Sequence, residues 1–338
     1  MAIDLFETRT MLTALEQMYP VPTFFVDTFF NRTTMVNSTH VDIDIYKGGQ
    51  QLAPFQSPHL QARTVDKKGF ETKSYTFPSI KIKGVCTAFD VLSREMGSTI
   101  YDQSMSPNAK AQQLLGQQLQ DMLNMIRRRE EYMAAQLLDL GYFEAIGDGI
   151  NLTVDFELPV SHRYTVATLW SSTTADVFAD LRAAADLVAR DSGIRPDILV
   201  MGADVIKHFM DRVGDKLDNL RLVLTADGIK PQNIPAGAQY WGRLLDSGLD
   251  VYSYSAFYKD EAGTSFNIMP TDRVFIGSTS AYTSRYYGMI QDLDVTAAVQ
   301  YYPKTWTQPD PSAMFLSVQS KPLLALHQVD AFASIEVV

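Results

Sequence analysis

The chain has 338 residues, 46% of them hydrophobic and 11% aromatic, enough for one large domain or two to three smaller units and too apolar for wholesale disorder. Its 29 basic and 39 acidic residues leave a net charge of −10, which excludes broad nucleic-acid binding through a basic surface. The one cysteine, Cys86, excludes an internal disulfide and a thiolate zinc site, and no apolar run approaches the ~20 residues a membrane-spanning helix needs.

Residues 1–20 carry Asp4, Glu7 and Glu16 where a secretory signal would have a basic start and an apolar centre, so folding in a reducing cytoplasm is expected. Leu5, Leu12 and Leu15 predict a short amphipathic helix that stops before Pro20 and Pro22. FFVDTFF follows at 24–30. Its Phe24, Phe25, Phe29 and Phe30 must be buried, either in the subunit's own core or as a strap against a neighbour.

Residues 31–100 have a different character. VDIDIY (41–46) alternates like a half-buried strand, KGGQQ turns the chain, and KSYTF and IKIKGV are strand-like. Between Arg63 and Lys83 the chain carries six basic and two acidic residues, a local +4, so the remainder carries −14. This is the sharpest charge asymmetry in the sequence; it fits either a solvated hairpin or a loop laid on an acidic partner.

Residues 106–141 predict one long helix. Ser106 suits the N-cap, Pro107 the first helical position and Gly141 the C-terminal stop. Leu115, Leu119, Met122, Ile126, Met133, Leu137 and Leu140 form a narrow apolar stripe, so the helix is expected to lie on a sheet like a beam. Arg127, Arg128, Arg129, Glu130 and Glu131 are expected to face outward, solvated or paired across a subunit boundary. Strands are predicted within 142–169 and a helix over Asp176–Arg190, capped by Thr173 or Thr174. RPDILVMGADVIKHFMD reads as a buried strand, a turn at Gly202 and a further helix, an α/β unit. Short strands fill 220–290, and MFLSVQSKPLLALH and AFASIEVV close the chain as strands.

Chemistry is absent from the pattern. No phosphate-binding glycine loop and no G-x-S-x-G elbow occur, and the five histidines are isolated. Cys86 in a strand reads as a small core residue. The pairs Asp42/Asp44 and Asp292/Asp294 each share a strand face and read as solvated or salt-bridged positions before a cation site. No catalytic residue, metal or cofactor is expected.

Four runs then carry a resemblance: FPSIK (77–81), RYYGMIQD (285–292), YPKTW (302–306) and QSKPL (319–323). With FFVDTFF and the order of elements, they resemble the phage lambda-type major capsid proteins, the major capsid protein E family, over essentially the whole chain. The resemblance implies an α+β Hong Kong 97-type capsid fold. Residues 1–40 would form an N-terminal arm and 41–100 an extended β-hairpin loop. Residues 101–170 and 291–338 would form a peripheral domain with a long spine helix, and 171–290 an axial α/β domain. It implies a tailed-phage head protein assembling into hexamers and pentamers of an icosahedral shell around packaged double-stranded DNA. Scaffold, portal and decoration proteins would be partners, with DNA contacted at most non-specifically and no membrane. The virion would be its location.

Subunit-interface candidates on this reading are Phe24, Phe25, Phe29, Phe30, Arg63, Lys67, Lys68, Lys73, Lys81, Arg127, Arg128, Arg129, Glu130, Glu131, Tyr302 and Trp306. Lys67, Lys68 and Lys73 are also candidates, by location, for the isopeptide cross-link of some relatives. Tyr302 and Trp306, with Tyr301 and three prolines, are expected to anchor a turn between axial and peripheral parts, and the chain's end to complete the sheet under the spine helix. Two alternatives stay open: an encapsulin-like nanocompartment shell of the same fold, and an enzyme with a distributed site.

Overall fold

A computed structural model describes residues 23–46, 70–87, 107–147, 149–213 and 237–338 apart from 245–246, 261, 294–296 and 311, with short pieces within 53–61, 89–90 and 220–234. The predicted helix over 1–20, the KGGQQ turn, Ser106, Arg63, Lys67 and Lys68 lie outside the described residues.

FFVDTFF makes one short helix, α1 (Phe25–Phe29), and all four phenylalanines are buried in the subunit's own core. The intramolecular reading of this cluster therefore holds, and no free apolar strap remains at these positions. The chain continues through β1 (Thr33–Val36), β2 (His40–Tyr46), β3 (Phe70–Thr76) and β4 (Ile80–Thr87). β2 and β3 pair antiparallel from His40/Thr76 to Tyr46/Phe70, the stem of the predicted hairpin.

The long helix α2 spans Pro107–Leu140, as the stripe and the flanking residues predict, roughly 50 Å of rise. It stops where Gly141 turns to φ 75°, its N–H donating to the Leu137 carbonyl at 2.9 Å; a left-handed residue there lacks the Cβ penalty. Its two halves pack differently. Leu115, Leu119, Met122 and Ile126 bury one stripe against Cys86, Leu316 and Val318. From Glu130 onward the helix is sunk in the main core, with Met133, Ala134, Ala135, Leu137 and Leu138 all buried. The beam is thus surface-laid only in its first half.

Next come β5 (Tyr142–Gly147), β6 (Ile150–Asp155), β7 (Arg163–Thr165), α3 (Val177–Ser192), β8 (Ile198–Met201) and α4 (Val205–Val213). The α3 cap is Asp176, whose Oδ1 accepts the Ala179 N–H at 3.2 Å, rather than Thr173 or Thr174. Short strands β9 (Leu220–Arg221), β10 (Leu224–Thr225), β11 (Gly228–Ile229) and β12 (Gln232–Ile234) precede β13 (Ala238–Leu244), β14 (Asp250–Tyr254), β15 (Phe257–Lys259), β16 (Ser265–Asn267) and β17 (Arg273–Gly277). The chain closes with β18 (Thr283–Gly288), β19 (Tyr302–Gln308), β20 (Ala313–Ser320), β21 (Pro322–Leu326) and β22 (Phe332–Glu336).

The largest sheet has the order β12-β13-β14-β8-β17-β22-β7, with β9 beside β13. Its central strand β8 is buried on both faces, which explains why ILVM shows no polar alternation. Leu199, Met201, Val274 and Ile276 point toward α3 and α4, where Val177, Leu181, Val205 and Phe209 meet them. Ile198, Val200 and Phe275 point the other way, toward α1 and the second half of α2. A three-stranded sheet, β19-β20-β4, carries the first half of α2, and another, β1-β18-β21, joins the chain's start to its end.

Two expectations for the closing segment are corrected. Tyr302 and Trp306 lie inside β19, opposite Gln319 and Phe315, not in a turn; Pro303 is tolerated because β19 is an edge strand. β19 and β20 complete the sheet under the long helix, but β22 enters the large sheet between β17 and β7. Only long-range pairing decides this, since AFASIEVV is apolar enough for either sheet.

Candidate functional site

The chemistry that stands out is carried by two adjacent buried carboxylates on α2. Glu131 Oε1 accepts the Phe24 and Phe25 N–H groups at 2.8 Å each and the Tyr254 hydroxyl at 3.0 Å; its Oε2 accepts the Val26 N–H at 3.0 Å. Those amides are the unpaired donors that open α1, so a residue 105 positions away in sequence caps it. Burial pushes the Glu131 carboxyl up from its ordinary value, and the three backbone donors pull it back down. The negative charge near Tyr254 raises that phenol's pKa in turn, after burial.

Glu130 faces a second cluster. Its Oε1 accepts the Tyr287 hydroxyl at 3.1 Å, and that hydroxyl accepts from Gln300 Nε2 at 2.9 Å. Burial drives the Glu130 carboxyl up to about 7, opposed by Arg285, the Tyr287 hydroxyl and Arg127. Tyr301, pushed up to about 12 by burial and then by Glu130, packs edge-on to Tyr287. The outward placement expected for Glu130 and Glu131 is therefore wrong: they are 1% and 2% exposed. Arg128 and Arg129 are exposed as expected, and Arg127 is half-buried.

Around Glu130 the four sequence runs meet. Tyr287 stands opposite Pro322 in the β18–β21 pair, and Tyr302 opposite Gln319 in the β19–β20 pair. The Gly288 N–H donates to the Lys321 carbonyl at 3.0 Å, Lys304 Nζ lies 2.7 Å from Asp292, and Lys321 Nζ donates to Gln291 at 3.4 Å. Ser320 Oγ donates to the Gln300 carbonyl at 2.7 Å. The Phe77 ring packs against Gly288, where an added Cβ would sit 2.5 Å from the ring. Gly288→Ala is expected to destabilise the subunit by ~1–3 kcal/mol through this overpacking, read as a fall in the urea midpoint. An unchanged midpoint would show that the ring can move aside.

The remaining candidates are dispersed. Lys73 pairs with Glu157 at 2.6 Å within its own chain, and the neighbouring Tyr75 hydroxyl donates to the Asp155 carbonyl, so the hairpin base is tied to β6. Lys81 and Trp306 share the β19-β20-β4 sheet; Trp306 stacks on Phe315 at 5.4 Å with the Lys83 ammonium 4.1 Å above the Phe315 ring. Trp306 is partly exposed, whereas Tyr302 is buried.

Among the described residues no three His, Cys, Asp or Glu side chains gather as a metal site would require. His162 bridges the Phe332 carbonyl at 2.8 Å and Asp191 at 3.1 Å, a structural link. Cys86 is buried, and burial pushes its thiol up, away from nucleophilic character. No described helix is long and apolar enough to cross a membrane.

The arrangement is one helix clamped into two cores, with its carboxylates fixing Phe24–Val26 and Tyr287. The chain as a whole matches known proteins. The major capsid protein of Escherichia phage lambda is 25% identical over 348 aligned positions, covering 99% of each chain. The crystal structure of the putative capsid protein of a prophage of E. coli CFT073 superposes with a TM-score of 0.76 at 18% identity, covering 98% of this chain and 99% of the other. The holo-SrpI encapsulin complex from Synechococcus elongatus shares the fold more remotely, at TM-score 0.51 and 10% identity over 97% and 95% of the two chains. The profile of the phage major capsid protein E family matches residues 7–337, and the chain, with its mixed α+β capsid-protein fold, belongs to that family.

Proposed function

We infer that the chain is the shell-forming subunit of a tailed-phage head, built on Hong Kong 97-type architecture and assembling as hexamers and pentamers around packaged DNA. The observation that carries this is the family match along nearly the whole chain, 7–337. In this reading residues 1–40 are the N-terminal arm and 41–100 the extended loop. Residues 101–170 and 291–338 make the peripheral domain around α2, and 171–290 the axial domain.

A shell must hold against internal pressure yet form through contacts weak enough to correct errors. Rigidity is supplied inside the subunit by α2, whose halves are embedded in different cores. Reversible contact is left to the surface: the basic stretch between Arg63 and Lys83 on an otherwise acidic molecule steers one copy onto another, an effect on rate and orientation more than on affinity. Scaffold, portal and decoration proteins belong to the same reading, as do the virion location and the absence of enzymatic activity.

Electron microscopy of the purified chain, expressed with its own scaffold where it needs one, tests the assignment. Closed particles of uniform size are the expected result. A chain that stays monomeric at high concentration under both conditions would overturn it, and particles filled with a protein cargo rather than DNA would point to a nanocompartment.

A further inference from the structure

One buried imidazole ties the β2–β3 hairpin to the body of the subunit. His327 directly follows β21 and is 4% exposed. Its Nδ1 lies 2.9 Å from the Asp44 carbonyl oxygen in β2, and its Nε2 lies 3.2 Å from the Tyr286 hydroxyl in β18. A carbonyl can only accept, so Nδ1 carries the proton, Nε2 accepts from the phenol, and the ring is neutral. The main chain doubles the tie. The Tyr46 N–H donates to the His327 carbonyl at 2.9 Å, and the His327 N–H donates to the Tyr282 carbonyl at 3.1 Å. The Tyr282 ring stacks on the imidazole with centroids 4.2 Å apart. All of these contacts fall at the Tyr46/Phe70 end of the β2–β3 ladder.

A charged ring fits this place poorly. The buried His162 meets the Asp191 carboxylate, whereas the His327 nitrogens meet a carbonyl and a phenol. The titratable groups facing it are Asp44 and Tyr46 from β2, Tyr282 and Tyr286 from β18 and its approach, and Arg32 ahead of β1. The Asp44 carboxylate is engaged by the Thr72 hydroxyl at 2.6 Å, and the Arg32 guanidinium sits 4.8 Å from the centre of the Tyr282 ring. We propose that His327 is an acid-released latch: neutral, it holds the Asp44–Tyr46 end of β2 to the body of the subunit, and once protonated it lets that end open. Ile43 and Ile45, both fully buried, keep the hairpin in place throughout, so acid loosens its root without detaching it. Burial lowers the imidazole pKa from its ordinary 6.5, the Asp44 carbonyl and carboxylate pull it back up, and Arg32 lowers it. With the folded value depressed, the latch is fully closed above pH 6.5 and is lost as pH falls through that folded value. Glu130 cannot mimic this, because a carboxyl with a raised pKa stabilises the fold toward acid. If 41–100 is a loop laid on a neighbouring copy, the latch makes that contact acid-sensitive; this consequence rests on the proposed shell function, whereas the latch itself does not.

Amide hydrogen exchange in the full-length soluble chain tests the latch without requiring a shell, so its failure and the failure of the shell assignment are separate results. The Tyr46 amide is the reporter, because it donates to the His327 carbonyl. Corrected for the intrinsic pH dependence of exchange, its protection should fall ~10-fold further than that of the Val200 amide in β8 between about pH 7.5 and about pH 5. His327→Gln keeps a donor for the Asp44 carbonyl but cannot ionise, and should abolish this extra fall. Arg32→Gln, at an exposed position, removes a positive charge near the ring and should move the midpoint of the fall to higher pH. A histidine with a purely structural role would give no such shift. A parent chain without the extra fall overturns the proposal, as does an undiminished fall in His327→Gln or an unmoved midpoint in Arg32→Gln. Should the glutamine variant fail to fold, the parent and Arg32→Gln still decide.

Discussion

Glu131→Ala is expected to lower the stability of the subunit by ~3–5 kcal/mol and to move most of the expressed chain into the insoluble fraction. The loss has two sources. Three backbone N–H groups and the Tyr254 hydroxyl are left buried without their acceptor. The short helix α1 also loses the charge at its N-terminus, and with it the placement of Phe25 and Phe29 in the core. Glutamine is expected to rescue only part of this, since its amide nitrogen must face one of the donors that the second carboxylate oxygen accepts from. Asp121→Asn, at an exposed position of the same helix, serves as the control and should change stability by less than ~0.5 kcal/mol. Urea unfolding of the soluble subunit measures both; near-parental stability for the alanine variant would refute the capping role.

The second large effect is a dependence on pH. Glu130 has a folded-state pKa near 7, above the ordinary carboxyl value of 4.5. A carboxyl raised on folding binds its proton more tightly in the folded chain, so its contribution is fully present below about pH 4.5. That contribution falls as pH rises and is lost once pH passes about 7. The groups that set it are named by the geometry: burial raises it, Arg285, Tyr287 and Arg127 lower it, and Asp27 adds a small push upward. Over the whole window the change is roughly 2–4 kcal/mol. Glu130→Gln keeps an acceptor for the Tyr287 hydroxyl but cannot ionise. It should match the parent near pH 5, exceed it near pH 8, and remove this part of the slope between them. Urea midpoints at the two pH values decide the matter; an identical slope in both proteins would place the titration elsewhere.

Much of this molecule is legible in its amino-acid order. The long helix begins and ends where Pro107 and Gly141 place it, because a proline at the first helical position and a glycine stop are local chemistry. The β8–turn–α4 unit is equally plain. Even Glu130 left a trace. It stands four residues after Ile126 and three before Met133, on the apolar stripe itself, a position that a solvated carboxylate would not occupy. The adjoining Arg127–Arg129 run suggested an outward charged face and masked that signal. Glu131 is harder to find, because its partners are amides of a helix 105 positions upstream and amides leave no mark in a sequence.

By itself, then, the sequence determined the elements whose causes are local: helix ends, strand alternation and the phenylalanine cluster that had to be buried. It also carried the family resemblance, since RYYGMIQD, YPKTW and QSKPL are strings that survive without reference to space. Tertiary structure decided what those strings are for. They converge on Gly288, Tyr287 and Glu130 through strand pairings such as Tyr287/Pro322 and Tyr302/Gln319. It also decided which sheet receives β22 and which charges are buried. The physical reason is that a buried carboxylate and an exposed one share the same side chain. Only the donors that a distant segment brings to it determine whether burial can be tolerated.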